Sequence, residues 1–227
     1  MRFRLVGCSF LMLVVLHPSP AAANPLAIAA LDRLESVDND AWSYTMTSRS
    51  KEGVTIERHD AAAPAGARWT LLQKDGRAPT EKELLEYRDE KAERDAEREQ
   101  QKQDDEQEVD RSSIRLVSED DRVATFQFRV NSSGRMEKAF TKHILGTLVV
   151  NKNDSWAERF ELRSTKPIRP IPGVSIREFK VVMTFWRDAQ SGEVLFETME
   201  SRIRGRAFGL KSLDDDHHVR FTDFRRP

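Results

Sequence analysis

Phe179-Lys180-Val181-Val182-Met183-Thr184-Phe185 sets Phe179, Val181, Met183 and Phe185 at every second position, with Lys180 and Thr184 between them. Successive side chains of an extended chain point to opposite faces, so this spacing predicts a long strand with one apolar face. Val182 and Trp186 blur the other face. Ser191-Gly192 turns the chain into a partner, Val194 to Arg206. Working outward, the texture recurs. Phe126, Phe128 and Val130 alternate on one strand. Ile144 to Val150 leads through Asn151-Lys152-Asn153-Asp154 into a strand carrying Phe160 and Leu162. Ile114 to Val117 reads as a short strand, a Pro-rich link (Pro167, Pro170, Pro172) precedes the long hairpin, and Val219 to Phe224 closes the chain. Nearer the start, Trp42, Tyr44 and Met46 alternate, Lys51-Glu52-Gly53 turns, and Val54 to His59 returns. Arg68 to Gln73 follows and ends at Lys74-Asp75-Gly76. About ten strands joined by short turns favour consecutive antiparallel neighbours in one curved sheet or barrel.

Two segments break the pattern. Pro25 to Val37 carries Ala27, Ala30, Leu31, Leu34 and Val37 at helical spacing, with Pro25 suited to a first helical position. Thr80 and Glu83 form a capping-box pair that opens a second helix bearing Leu84, Leu85 and Tyr87. Beyond Tyr87 the apolar stripe dies out. Residues 81–110 hold fourteen acids and six bases, so we expect a charged helical or disordered insert over about 81–112, solvated rather than core.

The first 23 residues read as an export signal: Arg2 and Arg4, an apolar run from Leu5 to Leu16, then Ala21-Ala22-Ala23, with cleavage expected after Ala23. That run is too short for a permanent span, which needs about 20 apolar residues. No later stretch reaches that length, so no transmembrane segment is expected in the mature chain, which we read as one domain over 24–227. Cleavage removes Cys8, the single cysteine, and with it disulfides, thiol nucleophiles and cysteine-ligated zinc. It also lowers the net charge from -1 by two arginines to -3. A chain so balanced lacks the basic field of a nucleic-acid binder, so no nucleic-acid partner is expected.

The order of these elements resembles the outer-membrane lipoprotein-carrier-like (LolA-like) superfamily. The resemblance rests on an exported N-terminal helix, the Trp-containing strand Arg68-Trp69-Thr70-Leu71-Leu72, the Asp75-Gly76 turn, a helix and then long hairpins. The last hairpins end in Arg202-Ile203-Arg204-Gly205-Arg206-Ala207-Phe208-Gly209 and Phe221-Thr222-Asp223-Phe224. It covers most of the mature chain by element order and texture, without a diagnostic motif, and the charged insert departs from the pattern. The resemblance implies a mainly β (α+β) fold, a curved antiparallel half-barrel whose concave apolar face is covered by helices and receives acyl chains. On that basis the expected ligand wall is Phe126, Phe128, Leu148, Phe160, Leu162, Val181, Met183 and Phe185. Each buried methylene of a guest contributes about 0.8 kcal/mol. The alternative is that these residues simply pack as core.

No nucleophile elbow, phosphate-cradling loop or zinc-protease pattern occurs, so we expect a non-catalytic protein. Asp214-Asp215-Asp216-His217-His218 suggests a cation, but adjacent strand residues face opposite ways, and no metal or other cofactor is expected. Glu197 and Glu200, three apart on a strand, are expected on opposite faces for the same reason. Arg202, Arg204 and Arg206 share a face and read either as a patch for anionic headgroups or an acidic partner, or as a solvated face, or as a mate for the acidic helix. The functional expectation is a periplasmic binder of a lipid or lipoprotein acyl chain. Its alternative is an envelope scaffold or stress-sensing protein that engages an envelope protein through the charged helix.

Overall fold

The long hairpin is the middle of one open sheet. The computed structural model describes residues 24–64, 66–101, 109–131 and 138–226, leaving aside the side chains of 95–101. The export-signal expectation for 1–23 thus lies outside the described residues. Helix α1 (Pro25–Glu35) precedes a meander of β1 (Ser43–Ser50), β2 (Gly53–His59) and β3 (Trp69–Lys74). Helix α2 (Glu81–Gln101) separates it from a second meander. That comprises β4 (Val109–Glu119), β5 (Val123–Val130), β6 (Ile144–Asn151), β7 (Trp156–Ser164), β8 (Val174–Arg187) and β9 (Val194–Ala207), with a short α3 (Lys138–Thr141) before β6. The two-residue β10 (Lys211–Ser212) pairs with β9, and β11 (Asp215–Arg225) ends the fold.

The order across the 11-stranded sheet is β3-β2-β1-β11-β9-β8-β7-β6-β5-β4, antiparallel throughout. The fold is mainly β, a curved and unclosed antiparallel half-barrel. Strand β11 stitches the two meanders by pairing with both β1 and β9. Strands β3 and β4 are therefore the two edges, and the chain joining them must cross the sheet.

Two differences from the sequence reading concern strand ends. Strand β4 begins at Val109, within the stretch read as an insert, and runs far beyond Ile114–Val117. Cross-strand pairing with β5, through two irregularities, recruits its polar residues where periodicity alone gave no signal. Likewise β11 begins at Asp215 rather than at Val219, because Asp215 to His218 pair with Glu200 to Ile203 of β9.

One half of the inner face is sealed. Helix α1, capped by Asn24 accepting from the Leu26 N–H at 3.0 Å, buries Ala27, Ala30 and Leu31 against β6 and β7. Arg111 of β4 forks onto Asp32 and Glu35 at 2.7 Å each, tying the outer side of α1 to the sheet edge. Beneath the helix lie Phe126, Phe128, Leu148, Val150, Phe160 and Leu162, all buried. Gly146 makes this packing possible. A Cβ there would stand 2.1 Å from Cε2 of Phe128, so only glycine lets that ring lie across β6. Ile168, wholly buried after Pro167, plugs the end of the core through reciprocal backbone bonds with Ile176 at 2.7 and 2.8 Å.

Candidate functional site

The other half of the inner face is built differently. Along β1, Tyr44, Met46 and Ser48 point inward, and the register places His59, Glu57 and Thr55 of β2 beside them. Trp69 and Leu71 of β3 continue that face on one side. Phe221, Val219 and His217 of β11 continue it on the other, followed by Met199 of β9. Aromatic edges knit this floor: Tyr44 meets Trp69 at 5.8 Å and Phe221 at 5.4 Å between ring centroids. Buried His59 stacks on Tyr44 at 4.9 Å, and its Nδ1 bonds the Trp42 carbonyl at 2.9 Å. These are rings that pack by offset and edge contacts.

Above this floor lies α2, and between them is a cleft of about 840 Å³. The helix is held off the sheet by polar contacts rather than by an apolar stripe. Its first turn is fixed by the capping box, Glu83 accepting from the Thr80 N–H at 2.8 Å and Thr80 from the Glu83 N–H at 3.3 Å. Arg77 donates twice to Glu83 at 2.8 Å, and with the Thr80 amide it keeps that carboxyl well below the usual carboxylate range. One and two turns on, Tyr87 and Lys91 reach the same carboxylate oxygen of Glu57. The phenol donates at 2.9 Å and the ammonium pairs at 2.7 Å. Burial, with Glu57 alongside, pushes the Tyr87 phenol far above its ordinary value, so it stays a donor. Glu57 is 7% exposed, and the Lys91 side chain 14%. Lys91 Nζ also sits 3.8 Å from the Trp69 ring centroid and 5.3 Å from that of Tyr87.

The eight residues expected as a ligand wall are indeed neighbours in space. Six are buried in the cluster capped by α1, and Val181 and Met183 are partly buried against it. The residues lining the 840 Å³ cleft are others. Met183 adjoins it, since it pairs across the sheet with Met199. Sequence reasoning missed Glu57, Tyr87 and Lys91. In β2 the apolar residues Val54 and Ile56 face outward with Thr47 and Arg49, so periodicity selects the wrong face. The available signal was the Glu83, Tyr87, Lys91 stripe at helical spacing.

On the outer face, a shallow charged groove of about 660 Å³ gathers Lys180, Val182, Glu200, Arg202, Arg204 and Asp214 to His218. Arg202 pairs with Asp216 at 3.2 Å and Glu178 at 3.9 Å, and Arg204 also meets Asp216, whose carboxyl the Arg204 hydrogen bond lowers. The arginines therefore neutralise β8 and β11 carboxylates, while α2 lies across the opposite face. His217 turns inward to Ser48 Oγ at 2.7 Å and His218 outward to Glu200 at 3.7 Å. Among the described residues no three His, Cys, Asp or Glu side chains converge as a metal site. A bulge opposite Thr184/Phe185 corrects the expectation for Glu197 and Glu200. It carries the Glu197 carboxylate to Thr184 Oγ1 at 3.3 Å, on the face that Thr198 shares with Glu200. Among the described residues no helix is long and apolar enough to cross a membrane. No protein-family model, curated protein or solved structure matches the chain.

Proposed function

We propose that the protein is an exported, periplasmic, non-catalytic binding protein that shelters the apolar chain of a lipid or lipoprotein in the cleft beneath α2. The observation that carries the reading is the contrast between the two halves of one inner face. The β4–β8 half is closed by α1 and by its own rings. The β3–β9 half keeps an aromatic and methionine floor under a roof tied to it by the Tyr87 and Lys91 contacts to Glu57. A volume of about 840 Å³ falls within the range of roughly 300–1,000 Å³ used by small-molecule sites. Met46 and Met199 give that floor unbranched, polarisable side chains that adapt to chains of differing shape. The closed half keeps the sheet bent, and Met183 links the two halves through its pairing with Met199.

Native mass spectrometry of the purified mature protein tests the reading. Co-isolated lipid is expected, together with saturable binding of the uncharged fluorescent probe N-phenyl-1-naphthylamine that Met199→Trp abolishes by filling the floor. A ligand-free mass with no binding of this uncharged probe would refute it.

A further inference from the structure

Glu57 is a carboxylate with almost no access to water, and among the described residues its charge is met by the Lys91 ammonium, with Nζ at 2.7 Å. That ammonium lies over the Trp69 indole at 3.8 Å and near the Tyr87 ring at 5.3 Å. A carboxylate flanked by two aromatic faces is a receptor for a cation, since ring quadrupoles and the negative charge act in the same direction. The Lys91 side chain enters it from α2, whose first turn is tied by Glu83 to Lys74 of β3 and to Arg77. The Trp69 ring then continues edge-on into Tyr44 and Phe221, so the receptor opens directly onto the apolar floor. The cleft as a whole is lined by eight carboxylates against three lysine and arginine side chains. A cleft so lined concentrates cations and repels anions.

We propose that the Trp69–Tyr87–Glu57 cage is a primary-ammonium site, held in this structure by the chain's own Lys91 as a tethered stand-in, and that the cleft selects an amphiphile with an amine head. The inference rests on the reading of the cleft as an apolar-chain site and adds to it the chemistry of the head. Exchange dictates the sign. A guest that displaces Lys91 with a neutral or anionic head leaves Glu57 buried without a counter-charge, which is strongly unfavourable. A guest that brings its own ammonium swaps one ion pair for an equal one and adds the burial of its chain. The 2.7 Å contact further requires a head that donates a hydrogen bond, which a primary ammonium does and a trimethylammonium does not. Lys91 thus also acts as a competitor that keeps the roof down until such a guest arrives.

The experiment titrates the whole mature protein, below micellar concentrations, with three probes of equal chain length: decylammonium, decyltrimethylammonium and decanoate. Decylammonium is expected to bind tightest and decanoate weakest. Lys91→Met, which removes the competitor at nearly constant shape, is expected to raise decylammonium affinity about tenfold while leaving decanoate unchanged. Trp69→Leu is expected to narrow the gap between decylammonium and decanoate. Equal binding of all three probes, or a Lys91→Met effect of the same size on each, overturns the ammonium site while leaving the apolar-chain reading in place. Failure of every probe to bind overturns both. The order among probes on the unaltered protein decides the matter even if a variant does not fold.

Discussion

Glu57→Gln isolates the contact on which the roof depends. The substitution keeps the shape of the side chain but a single acceptor oxygen; the Tyr87 and Thr55 hydroxyls lie 2.9 and 3.2 Å from different oxygens of the carboxylate, so one of them must turn to accept from the new amide NH2. The substitution removes the charge that holds Lys91 at 2.7 Å. Removing one partner of a fully buried pair costs about 3–5 kcal/mol. Here the stranded partner is a lysine on a surface helix that can swing into water. The loss therefore sits nearer the value of hydrogen bonds to charged groups, about 1.5–3 kcal/mol. Because the described side chains of α2 are otherwise anchored through Glu83 to Arg77 and Lys74 in the first turn, that loss is expected on the helix beyond Tyr87 and not on the sheet. Opening of this segment should rise roughly 10- to 150-fold. Hydrogen exchange resolved to peptides spanning residues 84–94 measures it directly, with peptides from β5 to β7 as the internal reference. Faster exchange confined to α2, with the urea midpoint of the sheet nearly constant, is expected. Unchanged exchange in 84–94 would falsify the claim that Glu57 holds the roof.

Gly146→Ala drives a methyl to within 2.1 Å of a buried ring, and overpacking of this kind costs about 1–3 kcal/mol; Phe128→Leu in the same chain should recover most of the loss in urea unfolding. Arg111→Ala removes two exposed ion pairs to α1 and should lower stability by about 1 kcal/mol, with the loss vanishing at high salt. The carboxyls of Glu83 and Asp216 lie below their ordinary values because Arg77 and Arg204 bond them. Their contribution is complete above the unfolded carboxylate pKa of about 4 and is lost as pH falls through the lower folded values. Stability from these pairs should therefore stay level between pH 8 and about 5 and decline only below about 4, which a urea midpoint series in pH reads.

Strand positions were legible wherever one face is apolar, because alternation is enforced by burial. Phe126, Phe128, Leu148, Phe160 and Phe185 showed themselves as one apolar face in this way, though they were expected as a ligand wall and form buried core, and the Thr80–Glu83 box announced the start of α2. The cleft was less legible because its face of the sheet is mixed. In β2 the inward residues are Thr55, Glu57 and His59, so the hydrophobic pattern points away from the site. The extent of β4 and of β11 past Asp215 depends on partner strands that are distant in sequence, which local pattern does not register. The role of α2 was hidden for a further reason. A helix poor in apolar residues reads as solvated, yet one tyrosine and one lysine, spaced four apart, join its first-turn Glu83 in docking it because both meet a buried carboxylate.

The most direct test of the account maps where a bound chain lies. A long-chain primary alkylamine carrying a photoactivatable diazirine near its tail, irradiated with the purified mature protein and located by peptide mass spectrometry, should label Met46, Met199 and Phe221 beneath α2. Label concentrated instead on Phe126, Leu148 and their neighbours under α1, or scattered over the surface without saturation, would contradict it.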